Sequence, residues 1–196
     1  MAGLIHQAIY FAVLAHRGQV RKGSDIPYIV HPFEVAQILS AHGAEEEVIA
    51  AGILHDTVED TSTTLDEIEE RFGLHVARLV QGCSENKALS WEARREQTLH
   101  FLKTSCPRDT MLIVCADKLS NMRSTAEDYV LLGDRLWARF HRGKEKQKWY
   151  FESLLVALRP VADTEMYKEL FALVEDVFGP QPREVDKEKI CGEDRL

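Results

Sequence analysis

Apolar residues recur at three- and four-residue spacing along almost the whole chain, the period of a helix with one buried face. Ile5, Ile9, Ala12, Val13 and His16 fall on one face of a first helix. From Arg17 to Val30 the pattern lapses into Gly18, Gly23, Ser24 and Pro27, which predicts a loop or short hairpin. Pro32, whose missing N–H suits a first turn, opens a helix through Phe33, Val35, Ala36, Ile38 and Leu39 that ends near Gly43. The acidic residues Glu45 to Glu47 suit the positive end of the next helix, whose apolar run from Val48 to Leu54 leads into His55. Thr64-Leu65-Asp66-Glu67 has the spacing of a capping box and starts a short helix that stops at Gly73. Further helices are predicted over His75–Gln81, Ser90–Lys103, Pro107–Met122, Asp134–Leu158 and Asp163–Phe178. Strand patterns, internal repeats and interdomain linkers are not evident. The expected fold class is all-α: a single-domain helical bundle over residues 1–178, followed by a polar, proline-interrupted tail over 179–196.

Composition narrows the function classes. With 196 residues the chain suits one domain with a proper core. No segment approaches the roughly 20 uninterrupted apolar residues of a membrane helix. The N-terminal stretch carries no leading Lys or Arg and is interrupted by His6 and Gln7, so it reads as an amphipathic helix rather than a secretory signal. Cys83, Cys106, Cys115 and Cys191 form no Cys-x-x-Cys pair and are expected to be reduced thiols of a cytoplasmic protein. The net charge of −8 disfavours a nucleic acid polymer as partner, while a small anionic substrate remains compatible if cations cluster locally.

Four groups interrupt otherwise apolar surroundings. His31 lies at a helix start, His55 and Asp56 follow one long apolar run, and Asp117 follows another, Met111 to Ala116. A carboxylate in such a place is costly unless neutralised, protonated or bound to a cation. Two imidazoles and two carboxylates suit a divalent transition ion with open positions for water and substrate. A closed structural zinc site is disfavoured by the lack of a Cys pair. Any one of these residues alone reads better as a core histidine or a cap; four in this arrangement do not. Glu59, three residues after Asp56, would share its face in a continuing helix, and Glu59-Asp60 could hold a water or protonate a leaving oxygen. His16-Arg17 and Arg21-Lys22 precede His31, and Lys118 and Arg123 flank Asp117. Gathered at the ion, these cations would suit a phosphorylated substrate.

In this order the elements resemble the HD superfamily of metal-dependent phosphohydrolases, a helical-bundle family with a His…His-Asp…Asp set. Four segments resemble the hydrolase domain of the RelA/SpoT alarmone enzymes: His16 to Lys22, Pro27 to Pro32, Leu54 to Thr61 and Ala116 to Arg123. The resemblance runs from about residue 4 to residue 178 and implies a stand-alone small alarmone hydrolase. Its implied reaction is hydrolysis of guanosine 3′,5′-bis(diphosphate) and the 5′-triphosphate relative at the 3′-pyrophosphate, with one Mn2+ per chain. By position it implies His31, His55, Asp56 and Asp117 as metal ligands, and Glu59 and Asp60 in water activation and proton transfer. Arg21, Lys22, Asn121, Ser124 and Tyr150 (the last on the long predicted helix) are implied to contact the nucleotide. The region from Ala126 to Arg142 matches no family pattern. Two other readings are compatible: the same site acting on another phosphorylated nucleotide such as NADPH, releasing its 2′-phosphate, or an alarmone-binding module without turnover. No heptad seam specifies an oligomer.

Overall fold

The computed structural model describes residues 3–179. In chain order its helices are α1 (Leu4–Ala15), α2 (Val30–Ala41), α3 (Glu46–Leu54), α4 (Thr57–Asp60), α5 (Leu65–Phe72), α6 (Leu74–Cys83), α7 (Trp91–Thr104), α8 (Arg108–Leu132), α9 (Gly143–Ala157) and α10 (Glu165–Phe178). The described residues contain no β-strand; an isolated antiparallel bridge, Val20 to Pro27, makes the expected hairpin before α2. The predicted tail, 179–196, lies outside the described residues beyond Gly179.

Two apolar runs are too continuous for one-faced helices, and both become central. Every residue from Val48 to Leu54 in α3 is buried, as is every residue from Thr110 to Ala116 in α8. A helix apolar on all sides must be surrounded. Accordingly α1, α2, α6 and α8 pack on α3, while α2, α3, α6 and α10 pack on α8. A tight contact lies at Gly52. A Cβ there would lie 2.5 Å from Leu39 Cδ1, so glycine lets α2 and α3 press together just before His55.

Local signals set most boundaries. Thr64 Oγ1 accepts the Glu67 N–H and starts α5 as expected. The buried stripe of α1 departs from expectation in part: Ala12 and His16 are buried as expected, but Ala8 is buried where Ile9 and Val13 are exposed. Small residues face α3 because the two helices are close. The helix expected over Asp134–Leu158 is broken. α8 runs ten residues past Met122 to Leu132, a 3-10 segment covers Gly133–Arg139, and α9 begins at Gly143. Gly133 and Gly143 both have positive φ, 56° and 66°, which ends one helix and re-aims the next. Tyr150 therefore sits on α9, not on one long helix. No helix among the described residues is long and apolar enough to cross a membrane.

Candidate metal centre and its adjoining cavities

Three helices and one junction bring the four predicted ligands together. His31 is in the first turn of α2, His55 caps α3, Asp56 precedes α4, and Asp117 lies in the middle of α8. His31 and His55 are 2% and 3% exposed. Asp56 Oδ2 lies 3.0 Å from His55 Nε2 and 3.6 Å from His31 Nε2. Asp117 Oδ1 lies 3.2 Å from His31 Nε2 and 3.9 Å from His55 Nε2. One atom each from His31, His55 and Asp117 fall within 4.8 Å of one another, a group that could hold a metal ion.

The far side of each ring fixes what faces inward. His55 Nδ1 donates to Gly52 O at 2.8 Å, and Thr57 Oγ1 donates to Leu54 O at 2.7 Å, so both side chains satisfy carbonyls left open at the end of α3. A carbonyl only accepts, which puts the ring proton on Nδ1 and leaves Nε2 for the cluster. His31 is held through a relay. Ser120 Oγ donates to Glu34 Oε2 at 2.9 Å, so it must accept from His31 Nδ1 at 2.8 Å. His55 Nε2 is buried and has no hydrogen-bond partner, despite its closeness to Asp56. An orphaned imidazole nitrogen beside two carboxylates fits a cation.

Electrostatics agree with the geometry. Burial opposes charge on His55, yet the Asp56 and Asp117 carboxylates override it and push its pKa up to about 9. Asp56 is held well below the usual carboxylate range against its burial, chiefly by His55. Asp117 is likewise lowered despite burial, chiefly by Lys118, whose Nζ lies 2.6 Å from Oδ2. Asn121 Nδ2 donates to Asp117 Oδ1 at 2.6 Å. Such a pocket draws positive charge strongly.

Two cavities open from the cluster. One of about 600 Å³ reaches His31 and is lined by Arg21, Lys22, Asn121, Ser124 and Tyr150, among others. The second, about 650 Å³, reaches His55 and Asp117 between α6, α7 and α8. Lys118 lines both.

Residues 8–145 match the family described as HD domain. The chain belongs to the HD domain family. It is 46% identical over 121 residues to guanosine-3′,5′-bis(diphosphate) 3′-pyrophosphohydrolase MESH1 of Danio rerio, covering 60% of this chain and 66% of that relative, just under two thirds of its length. It is 35% identical over 188 residues to a GTP pyrophosphokinase of Streptomyces coelicolor, covering 87% of this chain but only 21% of that protein. A 1.85 Å crystal structure of a Listeria monocytogenes EGD-e protein superposes with a TM-score of 0.70 at 38% identity, covering 79% of this chain and 97% of that one. A structure titled as a metazoan ortholog of SpoT that hydrolyzes ppGpp superposes with a TM-score of 0.76 over 92% of this chain and 98% of that one. At 24% identity that likeness concerns the fold alone.

Within this HD domain the other predicted residues fall into distinct positions. Arg21 Nη2 lies 3.3 Å from Asn121 Oδ1 and 3.5 Å from Ser124 Oγ. Glu59 does not continue the α3 face, because His55-Asp56 interrupts the helix and α4 is a separate turn. Its Oε2 accepts the Glu85 N–H at 2.9 Å, and burial raises its pKa. Asp60 pairs with Lys87, and its Oδ2 lies 3.3 Å from Tyr28 Oη. Arg123 does not reach the ion cluster itself: it is engaged by Glu169 and by Glu34, the carboxylate that holds Ser120. His16 is buried beside Gln19 and the Tyr28 ring, and is no free surface cation.

Several participants were not singled out from sequence. Tyr28 Oη donates to Asp56 Oδ2 at 2.5 Å, a contact signalled only by its place three residues before His31. Glu34, three residues after His31 on the same helix face, carried a periodicity signal for the relay. Arg95 had none. It lies 4.6 Å over the Tyr150 ring and ties α7 to α9 beside the cavity. Cys83, Cys106 and Cys115 are free thiols, as expected; Cys191 lies outside the described residues.

Proposed function

We propose that this chain hydrolyses guanosine 3′,5′-bis(diphosphate), and its 5′-triphosphate relative, at the 3′ position. Water attacks the phosphorus next to the ribose 3′ oxygen. The phosphorus–oxygen bond breaks, the water oxygen leaves on pyrophosphate, and the 3′ oxygen takes a proton to give GDP or GTP. The observation that carries this reading is the convergence of Arg21, Lys22, Asn121, Ser124 and Tyr150 on one cavity that opens at His31. These five residues, implied by the family resemblance to contact a nucleotide, line a single space that reaches the metal cluster at His31. The similarity to the Danio rerio pyrophosphohydrolase supports the same substrate.

His31, His55, Asp56 and Asp117 would hold Mn2+, which supplies Lewis acidity toward a phosphoryl oxygen and lowers the pKa of a water. Lys118, in contact with Asp117 and facing both cavities, is placed to compensate charge developing on the phosphates. Burial raises the Glu59 pKa, the direction that favours taking up a proton, and Asp60 lies 3.3 Å from Tyr28 Oη. Asn121 links Asp117 to Arg21 and so connects the metal side to the nucleoside side.

The test is product identity. Purified protein with Mn2+ and the alarmone should release pyrophosphate and GDP, and His55→Ala should abolish release. Orthophosphate from NADPH without pyrophosphate from the alarmone would reassign the substrate. Tight alarmone binding without decay would make the chain a binding module.

A further inference from the structure

We propose that the cavity between α6, α7 and α8 is the subsite that receives the pyrophosphate product, and that it gives this product a way out separate from the nucleoside. The inference rests on the reaction proposed above and adds where its second fragment goes. Hydrolysis beside the metal cluster yields two fragments on opposite sides of the broken bond. The nucleoside side is assigned to the cavity holding Arg21 and Tyr150. A second space adjoining the cluster is the 650 Å³ cavity reached past His55, Asp117 and Lys118, and it is large enough for a diphosphate with its water.

Its lining suits that fragment. Arg78 of α6, Arg94 of α7 and Lys118 of α8 approach it from three helices, with Ser84, Asn86 and Thr98 as neutral polar groups. Arg78 has no ion-pair or hydrogen-bond partner among the described residues, and the buried Arg94 Nε has none either. Three carboxylates also line the space. Glu85 is already engaged by Arg95 at 2.5 Å, Arg94 at 3.5 Å and the Thr98 hydroxyl at 3.0 Å. Asp117 belongs to the cluster. Asp109 lies two turns back along α8, about 12 Å from Asp117 at 1.5 Å per residue. Lys118 and Arg94 are thus shared with Asp117 and Glu85, while Arg78 is left without a partner among the described residues.

The two cavities share a wall with a specific construction. Arg94 and Arg95 are adjacent, so they point about 100° apart around α7. Arg94 lines the proposed product cavity and Arg95 the nucleoside cavity, and the single Glu85 carboxylate holds both. Lys118 completes the partition from α8. A phosphate chain crossing it passes from one arginine to the other.

The test is calorimetric titration of inorganic pyrophosphate, and separately of GDP, into the whole protein at saturating Mn2+. Arg78→Glu, at an exposed position, and Arg94→Gln should each weaken pyrophosphate by about tenfold or more, the order expected for a lost charge-assisted contact. Both should leave GDP affinity unchanged. Arg21→Ala should do the reverse. Unchanged pyrophosphate affinity in both cavity variants, with alarmone turnover intact, would overturn the subsite while sparing the reaction. Loss of pyrophosphate binding in Arg21→Ala instead would place both products in one cavity and also overturn it. Pyrophosphate weakened by Arg78→Glu in a protein that does not turn over alarmone would support the subsite and sink the substrate reading.

Discussion

Removing one hydroxyl should weaken the metal site without touching a ligand. Ser120 is fully buried, and its Oγ accepts from His31 Nδ1 at 2.8 Å while donating to Glu34 at 2.9 Å. Ser120→Ala deletes both bonds, freeing His31 to turn or to move its proton to Nε2, where it would block a ligand position. It also leaves a buried N–H and a buried carboxylate oxygen short of a partner. An unsatisfied buried group costs about 1–3 kcal/mol. If most of that cost falls on the cation-bound arrangement, Mn2+ affinity drops by roughly 10- to 100-fold, the usual range for lost outer-sphere support. Spread over the fold, the same loss lowers Tm by only a few degrees in a chain of this size, at about 2–4 °C per kcal/mol. The assay is Mn2+ titration by calorimetry alongside thermal unfolding of chelated protein. Mn2+ affinity within twofold of the native protein, with unfolding lowered as expected, would refute the claim that Ser120 orients a ligand.

The His55 value gives a pH signature. Because a cation must displace the Nε2 proton, log affinity for Mn2+ should climb by about one unit per pH unit up to the folded value near 9 and then level off. In chelated protein the sign is opposite. Raised from 6.5, His55 stabilises the fold fully below 6.5, and that support is lost as pH rises through about 9, so chemical denaturation midpoints should fall over this window. Gly52→Ala places a methyl carbon 2.5 Å from Leu39 Cδ1 and should cost about 1–3 kcal/mol in urea unfolding, the usual penalty for overpacking. Arg21→Ala should raise KM for the alarmone by about tenfold with kcat changed far less, as expected for a contact made equally in ground and transition states; a selective fall in kcat would move Arg21 into the chemistry.

The fold was legible where the hydrophobic pattern was unambiguous. The continuous run from Val48 to Leu54 could only be a surrounded helix ending at His55, and that is what α3 is. Signals failed where sequence spacing has no say. Spacing places Ala12 and His16 on the buried face of α1 but cannot tell that Ala8, rather than Ile9 and Val13, completes it, a choice set by interhelix distance. Positive-φ Gly143 breaks the segment from Asp134 to Leu158, whose apolar spacing alone reads as one helix, and positive-φ Gly133 closes α8 just before it. The ligand cluster was legible because each member interrupts an apolar setting. Its supports were less so: Ser120 and Tyr28 are ordinary polar residues whose importance arises only when α2 crosses α8 and the hairpin folds back on α4, and Glu34 carries only its helical spacing from His31. Arg123 shows the converse. Proximity in sequence to Asp117 suggests a role at the ion, but its side chain is taken up by Glu169 and by Glu34 behind Ser120.

The central claim is that one buried cluster of two histidines and two aspartates serves the cleavage of a 3′-pyrophosphate. The most direct measurement follows the products of guanosine 3′,5′-bis(diphosphate) incubated with folded, Mn2+-loaded protein, separating pyrophosphate from orthophosphate. The account predicts one pyrophosphate and one GDP per substrate consumed, abolished by a chelator and by Asp56→Ala. No turnover by folded protein with measured Mn2+ bound, or release of orthophosphate alone, would contradict it.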